Sequence, residues 1–313
     1  MTLLVALVAA VVMQSGTSPS YPVKPSETDK AITQFNDPHL VYFDAKSKPR
    51  NELLIFLPGT NGKPGGTNLF CETASFLGYH TVALAYPTDV PATRARNEKD
   101  PDAFEKFRLE IIEGRDLSPF VSVDRVNSIE NRLIRLLEFL DKKFPDQKWG
   151  QFLSGGKINW AKIAVSGHSQ GGGHAGLIAV KHRVARAIMT GAPKDFDRAR
   201  NAPAAWYKKP ATPVSGFFTF NHELDRQGCN YEEQLLICKA MGLTALGGPV
   251  SVDKEKPPYK NSRILTTKVE VVPSGSVQAH SSVIGDRITP KDKDGKPVFR
   301  AVWEYMMTAP VGP

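Results

Sequence analysis

The stretch Lys162-Ile-Ala-Val-Ser-Gly-His-Ser-Gln-Gly-Gly-Gly-His174 decides how this chain is organised. Its first part, up to Ser166, is a short apolar run that predicts a buried β-strand, and the small residues after Gln170 predict the start of a helix. Ser169 stands between them in a G-x-S-x-G pattern. So abrupt a turn needs glycine two positions away on either side, because side chains there would collide with neighbouring backbone. We therefore expect the Ser169 hydroxyl to project out of the sheet, over the positive end of the helix.

Short apolar runs alternate with longer helical patterns along most of the chain. This alternation predicts the α/β fold class, with a mostly parallel sheet and helices on both faces. The strongest helical pattern starts after Ser128, with Asn127 and Glu130 as an N-cap pair and Pro145 as the stop signal. The strand-like runs are His39–Asp44, Leu53–Leu57, Thr81–Tyr86, Ile163–Ser166, Ala187–Thr190, Val214–Phe220 and Ile264–Val272, and the further helical patterns are Gly172–His182, Glu232–Met241 and Phe299–Met307.

Two features refine this arrangement. The first two strand-like runs are joined by a polar, proline-containing link at residues 46–50, which suits a hairpin, so we expect these two strands to be antiparallel. Two longer segments, Asp89–Asp124 and Gln227–Ser262, interrupt the alternation as insertions. Segments added after the carboxyl end of a strand lie over the ligand crevice of an α/β sheet. We therefore expect the two insertions to form walls of a substrate site.

The composition fits one globular domain, which we place at residues 39–313. Hydrophobic residues make up 41% and charged residues 23% of the 313 residues, which excludes a disordered or low-complexity chain. The net charge of +8 is scattered along the sequence, so nucleic acid is not expected as a partner. Residues 17–38 are interpreted as an extended N-terminal segment ahead of the domain.

The N-terminus carries the apolar run Leu3–Met13, which is too short to span a bilayer as a helix. It has the length and position of a signal-peptide core, although no basic residue precedes it. We interpret residues 1–16 as a signal peptide, so the protein is expected to be secreted or periplasmic and to lack an integral membrane span. A frayed apolar helix or a misassigned start codon is the alternative.

The 3 cysteines leave at least one thiol unpaired within a monomer. Cys229 and Cys238 lie close in sequence, in a segment expected to be exposed, and exported proteins can hold such a bond. We therefore predict a disulfide between them. Cys71, at the start of an expected helix, is interpreted as a buried small hydrophobic residue. The cysteine and histidine spacings do not predict a metal site, and no cofactor is expected.

The motif around Ser169 resembles that of the α/β-hydrolase superfamily, whose esterases and lipases often read G-H-S-x-G-G. The resemblance extends from about Leu53 to the C-terminus and is carried by short motifs. It implies the α/β-hydrolase fold, with Ser169 as the nucleophile.

A second matching stretch is Leu53-Leu-Ile-Phe-Leu-Pro-Gly-Thr-Asn-Gly62. In the family, the loop after this strand supplies one backbone N–H of an oxyanion hole, and the residue after the nucleophile supplies the other. The resemblance thus implies Thr60, with Gly59 or Asn61 as neighbouring choices, and Gln170. An ordinary glycine-rich turn is the alternative interpretation of the loop.

A serine hydroxyl needs a base, and the base needs an orienting acid. The family's chain order of nucleophile, acid and histidine indicates His280, which follows the last predicted strand in a loop of small residues. The acid implied by the resemblance is Asp225, a few residues past the penultimate strand. Glu223 is the alternative acid, and Asp195, after the preceding strand, is a third.

These features predict an exported serine hydrolase that cleaves a carboxylic ester, in a small molecule or a polymer, through an acyl-enzyme on Ser169. A peptidase, a thioesterase or an acyltransferase could use the same residues. A binding protein that keeps the fold without turnover is a further alternative. The accepted acyl and alcohol groups depend on how the two insertions cover the site.

Overall fold

A nine-stranded β-sheet is the centre of the molecule in the computed structural model, which describes residues 20–312. The strands of this sheet are β1 (Tyr21–Val23), β2 (His39–Tyr42), β3 (Leu53–Leu57), β4 (His80–Ala83), β5 (Ile163–His168), β6 (Arg186–Thr190), β7 (Phe217–His222), β8 (Val250–Ser251) and β9 (Ile264–Thr267). Their order across the sheet is β1-β2-β4-β3-β5-β6-β7-β9-β8. Neighbours are parallel except where β2 meets β1 and β4, so the sheet is mostly parallel, as predicted.

Helices cover both faces of this sheet, which gives an α/β fold. Leu53, Ile55 and Leu57 of β3 pack into one apolar core together with α3, α4 and α5, whose ranges are given below. Leu54 and Phe56 point the other way, into a second core with α2 and α8. Alternate residues of a strand face opposite sides of a sheet, so an all-apolar strand must be covered twice. The helices are α1 (Pro25–Thr28), α2 (Asn68–Phe76), α3 (Ala103–Glu113), α4 (Ile129–Lys143), α5 (Gln170–Lys181), α6 (Tyr231–Ala240), α7 (Ser276–Ser282) and α8 (Arg300–Thr308).

The N-terminal part of the described chain joins the sheet. Within the stretch 17–38, β1 pairs with β2 and α1 packs against α4. The expected signal peptide at residues 1–16 lies outside the described residues. Within residues 20–312, no helix combines the length and apolar character that a membrane span requires.

The predicted hairpin between β2 and β3 is wrong, although the two strands do run in opposite directions. β4 lies between them, with Ala83 aligned to Leu40 of β2 and Thr81 aligned to Leu54 of β3. All residues of β4 are buried. A buried strand must pair its backbone groups along both edges, so β4 takes an inner position and keeps β2 and β3 apart.

The start of α4 differs from the prediction by one residue. Ser128, and not Asn127, is the N-cap, and its hydroxyl accepts a hydrogen bond from the backbone N–H of Asn131 at 3.3 Å. The side-chain oxygen of Asn127 instead accepts from Nη2 of the buried Arg132 at 3.1 Å. The predicted end is confirmed, because α4 stops at Lys143, just before Pro145.

The predicted disulfide between Cys229 and Cys238 is also wrong, since both residues are buried free thiols. Cys229 precedes α6 and Cys238 lies near its end. With a rise of about 1.5 Å per residue, the helical turns from Tyr231 to Cys238 span about 10 Å along the axis of α6, and Cys229 precedes that span. A disulfide requires Cα atoms within about 7 Å of each other. Cys71 is a buried residue of α2, as expected.

Candidate active site

Ser169 occupies the sharp turn between β5 and α5. Its backbone angles, φ 54° and ψ −117°, are strained for a residue with a side chain. A Cβ atom at Gly167 would overlap the backbone of Gly171, and one at Gly171 would overlap the carbonyl group of Leu57. The turn therefore tolerates only glycine two residues before and two residues after the serine. This restriction is the reason that the G-x-S-x-G pattern predicts the turn.

A cavity of about 500 Å³ opens beside this turn, and Ser169 and His280 both line it. The insertion 89–124 forms one wall, through side chains such as Phe104 of α3. The insertion 227–262 reaches the cavity with its first residues, Gln227 and Gly228. The described parts of the two insertions therefore contribute unequally to the walls, the first one more than the second.

Asp225 and His280 form a hydrogen bond at this cavity. The imidazole Nδ1 lies 2.7 Å from Asp225 Oδ2. Because the ionised carboxylate only accepts hydrogen bonds, Nδ1 carries the hydrogen, and Nε2 of the neutral ring is left able to accept a proton. The other oxygen, Oδ1, accepts from the backbone N–H of Gln227 at 2.8 Å. Burial raises the pKa of the Asp225 carboxyl, but the His280 hydrogen bond and the charge of Lys194 outweigh it and hold this pKa well below its usual range.

His280 lies on α7, although a loop was expected at this position. Burial lowers the pKa of His280 below its usual value, and the hydrogen bond to Asp225 opposes that shift. The neighbouring ring of His168 lies 4.4 Å away between centroids, and its Nε2 donates to the His280 carbonyl oxygen at 3.0 Å. Burial lowers the pKa of His168 to about 3. Two neutral imidazoles therefore hold α7 against the end of β5 at pH 7.

Ser169 and His280 line the same cavity without a hydrogen bond between their side chains. The hydrogen bonds made within residues 20–312 do not include one between the Ser169 hydroxyl and the imidazole. Catalytic hydrogen bonds are often long before substrate binds and shorten in the reacting complex. The arrangement thus brings a hydroxyl and an imidazole to one cavity, with the buried Asp225 carboxylate hydrogen-bonded to the imidazole, in an order suited to proton transfer.

The loop after β3 and the start of α5 are tied together on the other side of Ser169. The Thr60 hydroxyl donates to Oε1 of Gln170 at 3.0 Å, and the same oxygen accepts from the backbone N–H of Ala92 at 2.9 Å. As the first residue of α5, Gln170 has a backbone N–H with no partner inside the helix. Within the described chain, the Thr60 backbone N–H donates to no other group. Two backbone donors beside the cavity are thus available to an anionic oxygen.

The alternative acids are engaged elsewhere. Glu223 accepts from a threonine hydroxyl of β9 at 3.0 Å and lies 3.0 Å from Lys268 Nζ. Both oxygens of Asp195 bind Arg108, at 2.6 Å each. Neither carboxylate forms a hydrogen bond with His280 in the part of the chain that the structure describes, so Asp225 is the acid that the geometry favours.

Arg108 is a residue of the site that the sequence analysis did not single out. Besides Asp195, its guanidinium binds the backbone oxygen of Gln170, with Nη1 at 2.9 Å. The sequence does contain a signal for a buried arginine, because Arg108 follows Phe107 on the apolar face of α3 that packs into the core. A cation on the buried face of a helix requires a buried partner.

Lys194 is a second residue that sequence reasoning missed. It follows β6, and its Nζ lies 2.8 Å from Asp225 Oδ2. The pair Lys194-Asp195 places two opposite charges four and five residues after the end of a buried strand, which is a weak signal because such pairs usually face solvent. The structure instead turns both charges inward, toward different partners.

The strand order and the positions of three side chains define an α/β-hydrolase type of fold. One antiparallel strand lies in a parallel sheet, a serine lies at the turn after β5, an acid follows β7 and a histidine follows the last long strand.

Neither a protein-family model nor a curated protein sequence matches the chain. Among solved structures, the chain is similar to Thermogutta terrifontis esterase 2 phosphorylated by paraoxon, with 12% identity over 93% of this chain and 92% of that chain and a TM-score of 0.46. The native form of that esterase gives 14% identity over 79% and 80% of the two chains and a TM-score of 0.41.

Proposed function

We propose that the protein is an exported serine hydrolase that cleaves carboxylic esters. The observation that carries this proposal is the 2.7 Å hydrogen bond between Asp225 and His280 at the cavity that Ser169 lines. It orients the imidazole with its proton-accepting nitrogen available for the hydroxyl. Export rests on the sequence alone, through the apolar run at residues 3–13.

In the proposed reaction, Ser169 Oγ attacks the ester carbonyl carbon while His280 Nε2 takes the hydroxyl proton. The carbonyl oxygen becomes an anion and accepts hydrogen bonds from the backbone N–H groups of Thr60 and Gln170. Loss of one such donor typically costs about 3 kcal/mol of transition-state stabilisation. Asp225 stays ionised and stabilises the imidazolium.

The tetrahedral intermediate then collapses, and His280 gives its proton to the leaving alcohol as the C–O bond of the ester breaks. Ser169 is left acylated. Water repeats the sequence: His280 takes a proton from it, the hydroxyl adds to the acyl carbon, and the proton returns to Ser169 Oγ as the carboxylic acid leaves. Each residue thereby returns to its starting protonation state, so the cycle needs no cofactor.

Labelling with a fluorophosphonate tests the proposal, because this reagent bonds covalently to an activated serine. We expect one adduct on Ser169 in the folded protein and none in Ser169→Ala. Ser281→Ala is the matched control, since Ser281 lines the same cavity, and it should label like the wild type. A folded wild-type protein without an adduct on Ser169 would falsify the proposal. Rates with p-nitrophenyl esters, an acyl-CoA and a peptide then separate an esterase from a thioesterase and a peptidase.

A further inference from the structure

The ammonium group of Lys194 shares an oxygen with the Asp225–His280 pair. Lys194 Nζ lies 2.8 Å from Asp225 Oδ2, and His280 Nδ1 lies 2.7 Å from the same atom. The lysine side chain is 9% exposed and the carboxylate 0%. Three ionisable groups therefore meet at one buried oxygen, where water screens their charges little.

This third group changes the charge balance of the pair. Carboxylate and neutral imidazole together carry one negative charge, and they become neutral when the imidazole is protonated. With the ammonium included, the cluster is neutral beforehand and positive afterwards. A buried net charge is unfavourable, and a positive neighbour disfavours a second positive group. The position of Lys194 thus favours the neutral imidazole over the imidazolium.

We propose that Lys194 is a positioning residue, which binds the Asp225 carboxylate and keeps His280 in its proton-accepting form down to acidic pH. The inference rests on the proposed function, in which His280 is the base. It assigns Lys194 no contact with substrate, because its effect passes through the shared carboxylate and through space.

The surroundings of His280 hold no other group that would take over this effect within the described chain. Burial and the charge of Lys194 both lower the pKa of His280, while Asp225 raises it. His168 is neutral, since burial lowers its pKa to about 3. The remaining charged or titratable groups near the cluster are the Arg108–Asp195 ion pair, the Arg198–Glu233 ion pair, whose carboxylate interacts with the charge of Lys194, Arg226, whose Nη1 donates to the Asp225 backbone oxygen, and Cys229, a thiol whose pKa burial raises to about 12.

An NMR titration tests this inference without relying on turnover. The imidazole signals of His280 are followed against pH in Ser169→Ala protein, with and without Lys194→Met, and assigned by their loss in His280→Asn. We expect Lys194→Met to raise the titration midpoint by about one pH unit, the size typical of one charge removed from contact range. Lys194→Arg, which keeps the charge, should leave the midpoint close to its original value.

Two further variants separate charge from other effects. Lys194→Gln puts an uncharged polar amide in place of the ammonium, so it should shift the midpoint as Lys194→Met does, and it replaces that variant if Met fails to fold. Lys106→Met is the matched control, because Lys106 Nζ also pairs with an aspartate, Asp100, at 2.7 Å, but in the exposed part of the insertion 89–124. It should leave the midpoint unchanged.

Kinetics distinguish a failure of this inference from a failure of the proposed function. With Ser169 intact, the acidic limb of the plot of kcat/KM against pH should shift to higher pH in Lys194→Met, by the same amount as the NMR midpoint. An unchanged midpoint in both uncharged variants overturns the role of Lys194, whatever the ester activity. If the midpoint shifts but the protein with Ser169 intact hydrolyses no ester, the result supports the role of Lys194 and contradicts the proposed function.

Discussion

Arg108 and Asp195 form a bidentate ion pair inside the protein. The Nε–Oδ2 and Nη2–Oδ1 distances are both 2.6 Å, and the two side chains are 1% and 2% exposed. A further guanidinium donor, Nη1, binds the backbone oxygen of Gln170 at 2.9 Å. Because Gln170 supplies one of the proposed oxyanion donors, this pair connects the insertion 89–124 to the turn at Ser169.

A double-mutant cycle should show how strongly the two charges depend on each other. Removal of one partner leaves the other charge buried and unpaired, at a cost of about 3–5 kcal/mol. We expect Arg108→Met and Asp195→Asn each to lower the free energy of unfolding by about that amount. The double variant should lose clearly less than the sum, as measured by urea denaturation.

The exposed pair of Lys106 and Asp100 provides the control for this cycle. Its coupling energy should be below about 1 kcal/mol, because water screens the charges and either side chain can be rehydrated when its partner is removed. If the effects of Arg108→Met and Asp195→Asn simply add, the interior pair does not act as a unit.

The identity of the acid can be decided by two matched substitutions. Asp225→Asn keeps the shape of the side chain, but its amide can donate to Nδ1 of His280 and so favour the wrong tautomer of the ring. We expect kcat for ester hydrolysis to fall about 10⁴-fold, as is typical of this change. Glu223→Gln makes the same chemical change two positions earlier, where the carboxylate binds Lys268, and should leave kcat close to the wild-type value. The reverse result would identify Glu223 as the acid.

Local features of this fold were predictable from the sequence because each depends on a few neighbouring residues. The turn at Ser169 follows from glycines two positions away, and α4 follows from apolar spacing and Pro145. The same reasoning gave a wrong prediction where the side chain in question binds another residue of the folded protein. Asn127 is a good N-cap residue, but its side chain binds Arg132 instead, so Ser128 caps the helix.

Contacts between distant parts of the chain were beyond the sequence patterns. Arg108 meets Asp195 across 87 positions, and the pairing depends on how the insertion 89–124 folds back over α5. The order of β2, β4 and β3 likewise depends on which strand can be buried on both edges. Proximity in sequence suggested a disulfide for Cys229 and Cys238, whereas helix formation between them separates the thiols.

His174 should make the protein sensitive to acid. It is fully buried, and neither ring nitrogen has a hydrogen-bond partner among the described residues. Burial holds its pKa well below the usual 6.5, so the folded protein keeps it neutral. The unfolded chain binds a proton there below pH 6.5. Because the unfolded state then binds more protons, the free energy of unfolding should fall by about 1.4 kcal/mol per pH unit from this group alone as the pH decreases.

Urea denaturation of the wild type and His174→Phe at several pH values measures this contribution. At pH 8 both states hold a neutral ring, so the difference between the proteins reports packing alone. Below pH 6.5 the stability of His174→Phe should decline less steeply than that of the wild type. A difference that stays constant from pH 8 to pH 4.5 would show that the ring does not titrate on unfolding.

The space around the His280 ring depends on Gly191, which directly follows β6. Its φ of 55° is left-handed, and a Cβ atom there would lie 2.8 Å from His280 Cε1 and 2.9 Å from His168 Nε2. Gly191→Ala should therefore displace the imidazole. A displacement of about 1 Å from the reacting geometry can reduce kcat about 100-fold.

Gly155 separates this steric effect from backbone strain. Its φ is 58°, almost the same as that of Gly191, but no atom lies within 4 Å of a Cβ placed there. An alanine in left-handed backbone costs about 1–2 kcal/mol, so Gly155→Ala should lower the free energy of unfolding by that amount and Gly191→Ala by at least that amount. Gly191→Ala alone should also lower kcat, measured at a temperature where both variants are fully folded. Since the backbone cost is shared, an equal kcat for the two variants would mean that the imidazole does not need the position in which Gly191 leaves it.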